Sequence, residues 1–122
     1  MGERPKALVE RTFRFALEVR RFLNRLPKIL SNYEDSRQLA RSSGSVAANY
    51  LEAREGVSRK DFFYRIKICR KEARESGLWL RLVEVGGDVV LTTERNRLEA
   101  EANELKLIFA AIASKDDTTE VD

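Results

Sequence analysis

The sequence predicts an all-α protein, an up-down antiparallel four-helix bundle in a single domain, and three observations predict it. Apolar residues recur at spacings of three and four along almost the whole chain, the signature of helices that each bury one face. Pro27, Gly56 and the Gly86-Gly87 pair cut that pattern into four segments of similar length joined by short connections. The 122 residues, 35% charged and 43% hydrophobic with two prolines and six glycines, suffice for one core without disulfide or metal support.

The first helix is expected over 4–26, with Leu8, Phe15, Val19, Phe22 and Leu26 on its buried stripe and Val9, Ala16 and Leu23 widening it. Pro5 suits a first helical turn, whereas Pro27 lacks an amide donor and ends the helix. Ser31 and Glu34 form an S-x-x-E capping box, which starts the second helix at Asn32, and Gly56 is a natural left-handed cap for its end at 55. Ser58 and Asp61 repeat the start signal for a third helix over 59–85. Its stripe is Phe62, Ile66, Cys69, Ala73, Leu80 and Val83, with Ser76 a polar step inside the apolar seam. Thr92 or Thr93 caps the fourth helix, 93–114, whose Leu98, Ala102, Leu105, Phe109 and Ile112 keep the same rhythm. The domain is thus expected over 1–114, about 35 Å long at 1.5 Å per residue, followed by an acidic disordered tail over 115–122.

The stretch RSSGSVAANYLEA, Arg41 to Ala53, reads at first like a phosphate-cradling loop. On a helical wheel, however, Leu39, Ser43, Val46, Tyr50 and Ala53 fall on one line, and no G-x-x-x-x-G-K-[ST] pattern is present. The stretch is therefore helical, and Gly44, Ala47 and Ala48 are expected to let a neighbouring helix approach closely. Ser42, Ser45, Asn49 and Glu52 form a polar stripe beside the apolar one, with Arg41 one turn before Ser45. Two readings fit it: a solvated face, or a structural hydrogen-bond network joining helix 2 to helix 3, through Glu72 or Glu75, or to a neighbouring subunit.

The function classes narrow by subtraction. The chain has no histidine, which removes the usual neutral-pH acid/base group and the commonest transition-metal ligand. Di-iron bundles use a Glu-x-x-His motif, so Glu52, Glu55, Glu72 and Glu75 do not make such a site, and neither enzyme activity nor any catalytic residue, cofactor or metal is expected. Cys69 is the only cysteine and reads as a core thiol. No apolar run approaches a membrane span, and the N-terminus lacks a signal peptide's hydrophobic region, so the expected location is the cytoplasm, away from membranes.

The stretch from Arg41 to Ala53, followed by SRKDFFYRIKICRKEARESGLWLRL, resembles the signature of the four-helix-bundle family first noticed in intervening sequences of 23S rRNA genes. The matching positions are Arg41, Ser45, Asn49, Glu52, Ser58, Asp61, Phe62, Glu72 and Glu75. The resemblance implies a homopentamer shaped like a tapered barrel, with no assigned catalytic residues. It also implies kinship with the accessory variability determinants of diversity-generating retroelements, which carry a basic surface and are thought to bind nucleic acid and a reverse transcriptase. The acidic tail of this chain departs from that pattern, leaving any such role to the rest of the surface.

Charge is distributed unevenly. Eight Lys/Arg stand against three Asp/Glu in residues 1–30, three against four in 31–55, eight against four in 56–87, and four against nine in 88–122, for a net charge of +3. Helices 1 and 3 therefore carry the positive charge, and Arg14, Arg21, Arg25, Lys67, Arg70, Lys71 and Arg74 are the expected contacts to an RNA or DNA backbone. The competing reading is a solvated face on a protein-binding scaffold, since many of these residues have an acid one turn away. The first helix's surplus apolar width points to a homo-oligomer. The expected function is that of a non-enzymatic oligomer binding nucleic acid as an accessory factor of a reverse transcriptase or other partner.

Overall fold

The computed structural model describes residues 5–56 and 58–116, and within them every regular element is a helix: α1 (Pro5–Leu23), α2 (Leu30–Arg54), α3 (Arg59–Leu82) and α4 (Val89–Ala113). Cross-helix pairs establish the antiparallel register. Arg11 meets Glu101 while Arg97 meets Glu18, and Arg41 meets Glu72 while Asn49 meets Arg65, so the partner's number falls as the helix's own rises. Each helix runs beside the two next to it in a ring, and α1 and α3 lie on the diagonal, their backbones held apart across the core.

The core follows the apolar stripes. Leu8, Phe15, Val19 and Phe22 of α1 meet Leu39, Val46 and Tyr50 of α2, Ile66, Cys69, Ala73 and Leu80 of α3, and Leu98, Ala102, Leu105 and Phe109 of α4. Tyr50 and Phe109 pack tilted with ring centroids 5.8 Å apart, within the range in which aromatic pairs attract. On α3 it is Phe63 that is buried, and Phe62 packs edge-on against it. Thr12 also lies in the core, its hydroxyl donating back to the Leu8 and Val9 carbonyls, which satisfies the one polar group on that line.

The helix ends differ from expectation in instructive ways. The expected start at Arg4 lies outside the described residues, and α1 opens at Pro5. It closes at Leu23, because Arg25 and Leu26 already bond in a tighter i→i−3 pattern ahead of Pro27. The Ser31–Glu34 capping box does not form: α2 begins at Leu30 with Ile29 in the cap position and no side-chain cap. Asn32 is instead drawn inward, where its Nδ2 donates to the Pro27 and Glu84 carbonyls at 2.9 and 3.0 Å and its Oδ1 accepts from Glu84 N at 2.9 Å. Gly56 is not left-handed; a Cβ there would meet Asp61 Oδ2 at 2.9 Å and the Ala53 carbonyl at 3.1 Å, so a side chain would have to push the Asp61 carboxylate aside and crowd the end of α2. Ser58 caps α3 by accepting from Asp61 N, as the sequence predicts.

Helix α3 ends at Leu82, three residues short of expectation, and Gly86 and Gly87 take the positive φ angles of the connection. Asp88, not Thr92 or Thr93, caps α4, its carboxylate accepting from Leu91 N, so this helix starts four residues early. The expected tail begins against the bundle: Arg59 donates to the Lys115 carbonyl and Lys67 bonds Asp116 at 2.8 Å. Its remaining residues, 117–122, lie outside the described part.

Candidate nucleic-acid interface

The polar residues between α2 and α3 decide how α3 presents its charge. Arg41 Nη1 and Nη2 donate to the two Glu72 oxygens at 3.3 and 3.2 Å, with Glu75 at 3.6 Å. The Glu72 carboxylate is nearly sealed from water while half of the Arg41 side chain stays in it, and Lys71 stands 4.0 Å away. One turn along, Ser42 and Ser76, both fully buried, share a 2.7 Å hydrogen bond, which explains the polar step in the apolar seam of α3. Farther along, Asn49 donates to Ser45 and accepts from Arg65 at 3.1 Å. Glu52 departs from the expected stripe: it is exposed and its carboxylate has no partner among the described residues. Arg41 and Asn49 thus reach across this seam to Glu72 and Arg65 of α3, Ser45 bonds Asn49 on its own helix, and Glu52 lies beyond the seam's edge.

This seam sorts the charges of α3. Its acids are Asp61, in the first turn, and Glu72 and Glu75, which face Arg41. Lys60, Tyr64, Lys67, Lys71, Arg74, Leu78 and Arg81 recur at four, three, four, three, four and three, and all are exposed, with Arg70 beside them. They form one ridge about 32 Å long at 1.5 Å per residue. Lys60, Arg70 and Arg74 have no ion-pair partner among the described residues. Lys67 is already engaged by Asp116, and Arg81 stands 3.7 Å from Glu99.

The α1 residues fare differently. Arg11 forms a two-pronged pair with Glu101 at 2.7 and 2.9 Å, and Arg14 stands 3.5 Å from Glu10. Arg97 of α4 bonds both Glu18 and Glu94, and this bond to Arg97 chiefly holds the Glu94 carboxyl below its ordinary pKa. Arg20 lies across α2, donating to the Ala16 and Ala40 carbonyls, and its guanidinium is the neighbour that a Cβ on Gly44 would meet at 3.0 Å. Gly44 therefore admits a side chain, where the sequence pointed to a helix backbone. Arg21 and Arg25 remain exposed, but on the far side of the bundle from α3. The seven expected backbone contacts thus separate into Arg14 and Arg21 on α1, with Arg25 just past its end, and Lys67, Arg70, Lys71 and Arg74 on the diagonally opposite α3. Composition identified both basic helices; only the packing separates a helix interleaved with its neighbour's acids from one whose Glu72 is buried and whose Glu75 stands toward Arg41.

The remaining chemistry is quiet. Cys69 is fully buried, its Sγ donating to the Val46 carbonyl, and burial pushes its pKa up to about 12. Among the described residues no cluster of Cys, Asp and Glu is arranged to hold a metal, and no helix is long and apolar enough to cross a membrane.

The fold has a solved counterpart in the crystal structure, at 1.70 Å resolution, of a protein of unknown function from the S23 ribosomal protein family of Bacteroides thetaiotaomicron. The two superpose with a TM-score of 0.75 at 23% identity, covering 91% of this chain and 98% of that one. Comparison with curated proteins returns no match. The family model of the 23S rRNA-intervening sequence protein matches residues 6–111, nearly the whole bundle, and the chain belongs to that family.

Proposed function

We propose that the protein is a non-enzymatic, self-associating bundle that binds a nucleic-acid backbone along the exposed ridge of α3. The observation that carries this reading is the sorting of α3: its acids near the seam are held by Arg41, while Lys60, Lys71, Arg74 and Arg81 face solvent in one row with Arg70 beside them. A straight row of cations without base-reading geometry suits phosphates, which supply affinity and little sequence information. Tyr64, exposed on the same row, offers a face on which a base can stack.

Self-association is supported by the opposite side. Phe13 and Leu51 are each about half exposed, and the register that sets Arg20 against Gly44 brings these two level, seven residues away on either helix. Their apolar face between α1 and α2 suits a second copy, in a barrel of the pentameric kind that the family resemblance implies. Because α1 and α3 are diagonal, such contacts leave the ridge open, and each added copy multiplies the positive field. An accessory factor for a reverse transcriptase or other nucleic-acid machinery is the role this arrangement fits.

The test is binding of unrelated single- and double-stranded oligonucleotides across a salt series, with light scattering for mass. If four phosphates are neutralised per site, affinity falls roughly 50- to 150-fold between about 50 and 200 mM salt. R70E/R74E is expected to weaken all probes at least tenfold with the oligomer unchanged, whereas R21E/R25E has little effect. Failure of wild type to bind any probe at about 50 mM salt would leave a protein-binding scaffold as the better reading. A mass equal to one 14.0 kDa chain would refute self-association.

A further inference from the structure

Gly77 sits inside the last third of α3, five residues before its end, and glycine is the poorest helix former after proline. The usual structural reasons for a glycine do not apply to it. Positive φ among the described residues is confined to Gly86 and Gly87. A Cβ added at Gly77 would meet only the Ala102 Cβ, at 3.9 Å, an ordinary van der Waals contact, so alanine fits without any shift. What the missing side chain does is lower the floor of a groove of about 280 Å³ between α3 and α4.

The walls of this groove are set by helical spacing. Arg74 and Arg81 border it on α3, and Glu99, Asn103 and Lys106 border it on α4. Three cations thus face one acid, and that acid is already drawn to Arg81 at 3.7 Å. Arg74 and Lys106 have no ion-pair partner among the described residues, and Asn103 adds an exposed amide. The groove opens beside the ridge, because Arg74 belongs to both.

The geometry points to the groove over Gly77 as the seat of a phosphodiester group of the bound strand, with Arg74 and Lys106 closing on it from opposite walls. This rests on the reading of α3 as a nucleic-acid surface and extends it across to α4. It makes Lys106 a contact residue, although it lies on the most acidic part of the chain.

The variants Gly77→Ala and Gly77→Leu test it, with a fluorescent single-stranded 20-mer as the probe and thermal melting as the control. Gly77→Ala removes a helix-interior glycine, so it is expected to raise the melting temperature by a few degrees while weakening the 20-mer about threefold. Gly77→Leu, which fills the floor, is expected to weaken it at least tenfold, and Lys106→Gln about threefold. If both glycine variants bind the 20-mer as wild type does, the seat is refuted while the ridge reading stands. If Gly77→Ala melts lower than wild type, the glycine is structural and the inference falls. If inorganic phosphate stabilises wild type but not Gly77→Leu, and the 20-mer binds both equally, the groove takes a small anion and the proposal is overturned. If wild type binds no probe, the parent reading fails instead.

Discussion

Replacing Asn32, a buried residue in the first turn of α2, with alanine should destabilise this bundle markedly. The Asn32 side chain ties the α1–α2 connection to the α3–α4 connection through three hydrogen bonds of 2.9 to 3.0 Å, two to carbonyls and one from an amide. The residue is 3% exposed, so alanine leaves those backbone groups without the partner and with little water to replace it. At about 1 kcal/mol net per hydrogen bond, and allowing for solvent access at Glu84, the loss is about 2–3 kcal/mol. With an unfolding entropy of roughly 2.1 cal/mol/K per residue, this lowers the melting temperature by about 8–12 °C. The assay is a circular-dichroism melt at one fixed protein concentration, because the proposed self-association would make the midpoint depend on it. Asn32→Asp sharpens the test: it keeps the acceptor for Glu84 N but sets a carboxylate oxygen against two carbonyls. That carboxyl should therefore have a raised pKa in the folded state, and the variant should lose stability as pH rises through it and recover at acidic pH. An alanine variant melting within about 2 °C of wild type, or an aspartate variant as stable as wild type at neutral pH, would refute the account.

Within the α2–α3 seam, Arg41→Ala should cost about 1–2 kcal/mol, less than the roughly 3–5 of a fully buried pair because half of Arg41 is in water. Glu52→Ala should change stability by under about 0.5 kcal/mol, as for any solvated residue; urea titration of both variants checks the contrast, and equal losses would contradict the seam. Burial raises the pKa of Cys69 and, by desolvation first, of Tyr50. The fold therefore favours both neutral forms, and their stabilisation is complete below the ordinary thiol range and is lost as pH rises above about 9. A stability profile with no such alkaline decline, or Cys69 labelling by a thiol reagent as fast in native protein as in urea, would show that the thiol is not sealed.

Much of the candidate site was legible as identity and little of it as arrangement. Arg41, Ser45, Asn49 and Glu72 were visible as a coherent pattern because helical spacing aligns them, and the bonds of Arg41 to Glu72 and of Asn49 to Ser45 join residues that the pattern singled out. Arg65, which closes the other end of that seam by donating to Asn49 Oδ1, was not singled out, since one arginine among eight Lys/Arg in its segment carries no mark of burial. The capping signals divide the same way. Ser58 works because its partner, Asp61 N, is three residues on and needs nothing else. The Ser31–Glu34 box, equally good locally, loses to a start at Leu30 that sends Asn32 inward to Glu84, a partner 52 residues away.

What the sequence by itself determined is therefore what depends on neighbours along the chain: four helices, the buried face of each, the Ser58 cap, and the concentration of positive charge on α1 and α3. Periodicity encodes which side of a helix avoids water, because burial acts on every residue of a stripe alike. It does not encode which helix covers that stripe. The tertiary structure alone decided that α1 and α3 are diagonal, that Glu101 and Glu104 of α4 pair with Arg11 of α1 while Arg41 draws the acids of α3 inward, and that Ser42 finds Ser76. Those outcomes depend on the register between helices, and register is settled by the packing of whole side-chain surfaces that no local stretch of sequence contains.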